Sequence, residues 1–141
     1  MKWYNSFSDR LSAWAHLRSN LSSDTERALS DINQWWSRTP WTAYYLHWDD
    51  RAEWPDPWQL LSDNVYCDLA RGLGILYTLA MIERPDITDA VLAETDQTNL
   101  VLVNNEKYIL NYFTDTIVNN TFEIATTRRR ITLQEIYKKI K

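Results

Sequence analysis

Tyr66-Cys-Asp-Leu-Ala-Arg-Gly-Leu-Gly-Ile-Leu-Tyr-Thr-Leu-Ala-Met81 is the stretch whose reading decides the fold. Its apolar positions Tyr66, Leu69, Ala70, Leu73, Leu76, Tyr77, Ala80 and Met81 recur every three to four residues, the period of an α-helix. Asp56-Pro57 upstream has the form of a helix start, with Asp as the cap and Pro at the first helical position. Pro85 closes the pattern. Gly72 and Gly74 are the only glycines in 141 residues. Each costs about 1 kcal/mol against Ala inside a helix. Their placement here predicts close backbone approach by neighbours, and so a central, buried helix. Turns elsewhere must rely on Asn and Asp, which tolerate left-handed conformations.

Working outward, Phe7, Leu11, Trp14, Ala15, Leu17 and Leu21 predict an amphipathic helix over about 6–21. Ser23-Asp-Thr-Glu26 has the form of a capping box. It opens a second helix with Ala28, Leu29, Ile32, Trp35 and Trp36 inward, ended by Thr39-Pro40. The two read as a helical hairpin. The aromatic run Trp41 to Trp48 is compatible with helix or extended chain. Downstream, Leu100 to Val103, a polar turn at 104–107 and Tyr108 to Phe113 predict a β-hairpin. Thr116 to Val118 and Phe122 to Thr127 are further strand candidates. Thr132-Leu-Gln-Glu135 is a second capping box, opening a short terminal helix with Ile136 and Ile140 inward. The expected fold is one α+β domain over residues 1–141. In it an N-terminal helical hairpin and a central buried helix pack on a small antiparallel sheet, followed by a short C-terminal helix.

Composition narrows function. No apolar run approaches the roughly 18 residues of a membrane span, and the start has no apolar signal-peptide core. We therefore expect no membrane partner and a cytoplasmic setting. One Cys excludes an internal disulfide or a multi-cysteine zinc site, and two distant His lack ligand spacing. No metal and no cofactor is expected. The net charge is −4. Arg128, Arg129, Arg130, Lys138, Lys139 and Lys141 face only Glu135 in the last fourteen residues, a surplus of five, so the first 127 carry −9. The acidic body disfavours general nucleic-acid binding. The basic end suits an acidic partner, nucleic acid, or the acidic body itself. Its arginines read either as a solvated turn or as an electrostatic dock.

All eight tryptophans lie within the first 58 residues. Trp14, Trp35 and Trp36 fall on inward helix faces. Asp49, Asp50, Glu53 and Asp56 cluster beside Trp48, Trp54 and Trp58, in the acidic segment that Trp41 opens. This layout fits a sugar-binding platform, a protein-binding face, or rings that plug the core from a solvated loop. Cys67 is the candidate nucleophile, since a helix N-terminus favours a thiolate. The bland alternative is a buried, inert thiol.

A Cys opening a helix that leads into a hairpin resembles the core of the transglutaminase-like and papain-like cysteine enzymes, over roughly residues 63–113. The resemblance implies Cys67 as nucleophile, a base on the first following strand and an orienting Asp or Asn on the next. Those positions hold about Asn99 and Asn111, and no His follows Cys67. It therefore implies a copy without its base. His47 is the one imidazole placed to approach from the other side, as in circularly permuted members. The Gly-poor, Asn-, Asp- and Trp-heavy composition is similar to that of small tailed-phage proteins, which would place the chain in host cytoplasm or virion. The leading expectation is a non-catalytic interaction or structural protein, with a protein partner or a second copy of the chain as its ligand. Cysteine-dependent acyl transfer or hydrolysis by Cys67 and His47, and nucleic-acid binding through Arg128 to Arg130, are the alternatives.

Overall fold

A computed structural model of the chain describes residues 3–96, 98–113, 116–119 and 127–140. Helix α1 (Phe7–Ser19) is capped by the Ser6 hydroxyl, which accepts the Asp9 N–H at 3.0 Å. Helix α2 (Thr25–Ser37) starts one residue later than the capping-box reading, because Asp24 rather than Ser23 is the cap, its carboxylate accepting the Arg27 N–H. A carboxylate is a charged acceptor for those free donors, so the difference follows from ordinary capping chemistry. A 3₁₀ segment (Trp48–Glu53) precedes α3 (Pro57–Asp63), which opens on Asp56-Pro57 as expected. The helix then breaks. Asn64 takes a left-handed φ of 55° and caps α3, and α4 (Asp68–Ile82) begins afresh with Cys67 as its N-cap.

Five strands follow or flank this helix: β1 (Ala90–Glu94), β2 (Asn99–Val103), β3 (Tyr108–Phe113), β4 (Thr116–Asn119) and β5 (Arg129–Thr132). They form one antiparallel sheet in the order β4-β3-β2-β1-β5. The turn between β2 and β3 is built without glycine, on Asn104, Asn105 and Glu106 at φ between 55° and 66°. Helix α5 (Leu133–Ile140) follows β5, and its capping box is formed as read. Thr132 Oγ1 accepts the Glu135 N–H, and Glu135 accepts the Thr132 N–H at 3.1 Å. The strand candidate at Phe122–Thr127 lies, except for Thr127, outside the described residues.

Helix α4 lies between the helices and the sheet, and its two glycines explain how. Two residues of helix rotate the side-chain direction by about 200°, so the glycines face opposite sides. A Cβ on Gly72 would stand 2.6 Å from Leu92 Cδ1 of β1. One on Gly74 would stand 2.4 Å from the Trp36 ring of α2. Absence of both Cβ atoms lets sheet and helix close on α4 from either side. The resulting core joins Trp14, Leu29, Ile32 and Trp36 to Leu73, Leu76 and Tyr77, and these to Leu92, Val101 and Leu110. A smaller buried cluster of Ala93, Leu100, Leu102 and Ile109 forms from the alternate strand positions. On α1, Arg10 and Trp14 are buried, while Phe7 and Ala15, read as inward, are exposed.

The connection from α4 to β1 is tied to the start of α2. Arg84 pairs with both oxygens of Asp86 at 2.9 and 2.7 Å, and Thr25 Oγ1 donates to Asp86 at 2.6 Å. The Arg84 hydrogen bond, then that of Thr25, holds the Asp86 carboxyl well below the usual carboxylate range. A depressed folded pKa stabilises the fold above the unfolded pKa of about 3.9, and that contribution is lost as pH falls through the folded value. Asp86→Asn should therefore be less stable than the parent at neutral pH. The gap should shrink in urea melts taken progressively below about pH 4. A gap independent of pH would show that the ion pair contributes nothing.

Candidate functional site

Cys67 sits where an extended segment turns into α4. Residues 65–67 run beside the aromatic segment: Trp41 pairs with Tyr66 in a parallel bridge, and the Thr42 N–H donates to the Tyr66 carbonyl at 3.0 Å. Cys67 is the N-cap residue, not part of the first or second helical turn, because the αL break at Asn64 restarts the helix late. The thiol is 4% exposed, and its sulfur accepts the Leu46 N–H at 3.5 Å.

The next residue carries the densest polar network of the region. Asp68 Oδ2 accepts from Thr98 Oγ1 (2.7 Å), the Asn99 N–H (2.8 Å) and Asn99 Nδ2 (3.1 Å). Asn111 Nδ2 donates to the Asn99 carbonyl at 2.8 Å and to the Asp68 carbonyl at 3.1 Å. Asn111 takes φ 63° within β3, at a register shift of the β3–β4 pairing. Its own N–H donates to Asn33 Oδ1 on α2. This network fastens the N-terminus of α4 to β2 and β3. Asn99 Oδ1 accepts the Trp48 indole N–H at 2.7 Å, so both ends of that carboxamide are engaged. A carboxamide has no basic nitrogen and takes no proton from a thiol.

Two clefts adjoin this point and share Leu46 and His47 as a common wall. The first, about 250 Å³, is lined by Tyr44, His47, Cys67, Asp68, Asn99 and Arg129, among others. The second, about 350 Å³, is lined by Tyr45, His47, Asp50, Glu53, Gln59 and Asp63 with Leu46 and Pro55. Cys67 and His47 thus share a cleft, although the imidazole is exposed and stacked on Tyr44, ring centroids 6.3 Å apart. Tyr45, in the wall of the second cleft, donates its hydroxyl to Asp63. Burial, then that bond, pushes its pKa upward, so the phenol stays a donor at neutral pH.

The candidate tryptophans divide. Trp48 and Trp54 are 6% and 5% exposed and pack edge to face at 5.1 Å. Trp54 donates to the His47 carbonyl, so both indole N–H groups are satisfied inside. Trp41 and Trp58 are exposed, Trp41 at 62%, and Tyr44 reaches 80%. Trp14, Trp35 and Trp36 are buried, as their helix positions imply.

Arg128, Arg129 and Arg130 do not form a turn. Arg129 and Arg130 lie in β5, paired with Glu94 and Ala93 of β1. Arg129 meets Glu94 at 2.9 Å and Asp49 at 2.6 Å, and its guanidinium lies 5.9 Å from the Trp48 ring. Hydrogen bonds to Glu94 and Asp49 raise its pKa further. Arg128 pairs with Asp96 at 2.9 Å, and Arg130 approaches Glu106 at 4.0 Å. Arg51 joins Glu135 of α5 at 2.8 Å. The three arginines of the basic end thus pair with carboxylates of their own chain.

Tyr44 and Asp68 are site residues that the sequence reading missed. An acid in the first turn of a helix is a recognisable signal, because it complements the helix dipole. Nothing in the local pattern marks Tyr44. Among the described residues no group of three His, Cys, Asp or Glu side chains could hold a metal ion, and no helix is long and apolar enough to cross a membrane. Compared with protein-family models, curated proteins and solved structures, the chain matches none.

Proposed function

We propose that this chain is a non-catalytic interaction protein that binds a protein partner through the aromatic segment Trp41 to His47 and the clefts it walls. One observation carries this reading. A chain that buries Trp14, Trp35, Trp36, Trp48 and Trp54 leaves Trp41 62% and Tyr44 80% exposed. Their segment is tied down on either side of Tyr44 by the pairing of Trp41 with Tyr66 and the Leu46 N–H on the Cys67 sulfur. Large aromatics held on ordered backbone are the usual anchors of protein interfaces. The thiol beside them is covered, and Asn99 at its side supplies no base. Arg128, Arg129 and Arg130 already meet carboxylates of the same chain, which weakens the case for nucleic acid as the partner.

The acyl-transfer reading keeps one observation in its favour, the common cleft of Cys67 and His47. A single comparison separates the two. Trp41→Ala/Tyr44→Ala should melt within about 0.5 kcal/mol of the parent, as exposed substitutions do. It should lose the proteins that co-purify quantitatively with the parent, whereas Cys67→Ser should keep them. The folded parent should resist iodoacetamide at neutral pH. An unchanged partner set in the aromatic variant overturns the proposal. Rapid, selective alkylation of Cys67, with activity lost in Cys67→Ser and His47→Ala, would replace it with a thiol enzyme. Sedimentation of the isolated chain tells whether the partner is a second copy.

A further inference from the structure

We infer that Arg51 and Glu135 form a side-chain clamp that closes the outer edge of β5 to strand addition by a second copy of this chain. The sheet order β4-β3-β2-β1-β5 puts β5 at one end, with β1 as its neighbour. An edge strand presents backbone N–H and C=O groups to any extended chain that meets it. In an antiparallel strand, alternate residues turn both groups away from the paired neighbour. Arg130 and Thr132 stand in that alternation, and each has a side-chain partner. The Arg130 carbonyl accepts from Arg51 Nη1 at 3.1 Å, and the Thr132 N–H donates to Glu135 Oε1 at 3.1 Å. Arg51 Nη2 meets Glu135 Oε2 at 2.8 Å, which joins the two. The clamp thus offers this edge a donor and an acceptor, in the places that an incoming strand would use.

Arg51 reaches β5 from the 3₁₀ segment, 79 positions before Arg130 in the chain. That segment is anchored by the buried Trp48 and by the pair of Asp49 with Arg129 at 2.6 Å, which delivers the guanidinium to the edge. The side chains of Arg51 and Glu135 are 36% and 50% exposed. An ion pair that open to water contributes little to stability, and the backbone groups it covers would otherwise bond water. Its main consequence is exclusion, because a strand can add only by displacing it. A second copy is the occupant that the edge fits. Two copies of one edge can pair antiparallel about a twofold axis, each supplying the groups the other needs. The like charges of the β5 arginines would oppose such pairing, but each is matched within its own chain. Arg129 meets Glu94 and Asp49, and Arg130 meets Glu106.

Sedimentation velocity of the full chain over a range of protein concentrations tests this. All variants are compared in the Trp41→Ala/Tyr44→Ala background, which removes pairing through the aromatic segment. Arg51→Ala leaves the capping box of Thr132 and Glu135 in place, so α5 keeps its start. Its urea midpoint should stay near that of the background, as loss of an exposed pair allows. Its weight-average mass should rise with concentration toward about twice that of the background, as a twofold pair requires. Arg51→Ala/Glu135→Ala, which frees both backbone groups, should associate at lower concentration still. Adding Arg130→Pro blocks the outer edge without removing a bond to β1, and should return the Arg51→Ala protein to the background mass. If Arg51→Ala keeps the background mass at every concentration, the clamp excludes nothing and the inference falls. Association that survives Arg130→Pro runs through another surface and overturns it too. Hydrogen exchange reads the same edge without the proline. The Arg130 amide should exchange more slowly as the Arg51→Ala protein is concentrated, and an unchanged rate overturns β5 as the point of contact.

Discussion

Thr78→Val should destabilise the fold by about 4 kcal/mol. Thr78 is fully buried on α4, and its hydroxyl accepts two indole N–H groups, from Trp14 at 3.0 Å and Trp36 at 2.9 Å. It donates in turn to the Gly74 carbonyl at 2.8 Å. Valine keeps the shape and removes the acceptor, so no cavity opens while two large rings are left with unpaired donors in an apolar interior. Each orphaned donor costs roughly 1–3 kcal/mol. Thr78→Ser retains the oxygen and loses one methyl, for about 1 kcal/mol. Urea melts of the three proteins with unchanged slope separate the two effects. A valine variant within 1 kcal/mol of the serine variant would mean that the indoles find other acceptors.

Gly74→Ala should cost about 2–3 kcal/mol, against the gain of about 1 kcal/mol that helix propensity alone predicts. The added methyl would meet three Trp36 ring atoms at 2.4 to 2.6 Å. That ring is 1% exposed, anchored to Thr78 and packed against Trp14 and Trp35, so it has nowhere to retreat. Gly72→Ala is the informative contrast. Its methyl meets Leu92 Cδ1 at 2.6 Å, but that atom is the far end of a flexible side chain. Rotation of Leu92 relieves that contact and leaves Asn111 Nδ2 at 3.3 Å as the nearest fixed atom, so the change should cost about 1 kcal/mol, less than Gly74→Ala. Equal losses at both positions would show that the clash at Gly74 is not specific to the ring.

Helical period, Pro and the two glycines were enough to place α1, α2 and α4 and to predict close packing on α4. The hairpin of β2 and β3 was legible because Leu100 to Val103 and Tyr108 to Phe113 are apolar runs around a polar turn. Strand β1 was not, since Ala-Val-Leu-Ala-Glu is short and as suited to helix as to strand. Pairing on both edges, with β2 and with β5, imposes its conformation. Strand β5 was hidden by its arginines, which read as a solvated turn or an electrostatic dock until Glu94, Asp49 and Glu106 are seen opposite them. The break at Asn64 was missed because the apolar period runs on across it, although Asn is the residue that most readily takes the left-handed cap. Of the candidate site, Cys67, His47, Trp48 and Arg129 were named from sequence and do meet at one cleft. That Trp48 and Trp54 are buried while Tyr44 is open depends on where the 3₁₀ segment folds back, and no local pattern encodes that.

The position of β5 beside β1 also sets the timing of synthesis. When β1 through β4 have left the ribosome, the meander can pair, yet the outer edge of β1 still presents free N–H and C=O groups to any passing strand. Its proper neighbour, residues 129–132, begins ten residues after β4 ends at Asn119, which takes roughly 0.5–3 s at about 5–20 residues per second. During those seconds Val91 and Leu92 border an unprotected edge, and a second nascent chain is a competitor for it. A ribosome that stalls before residues 129–132 are made therefore releases a product primed for intermolecular strand exchange, whereas one that passes them seals the sheet with charged arginines.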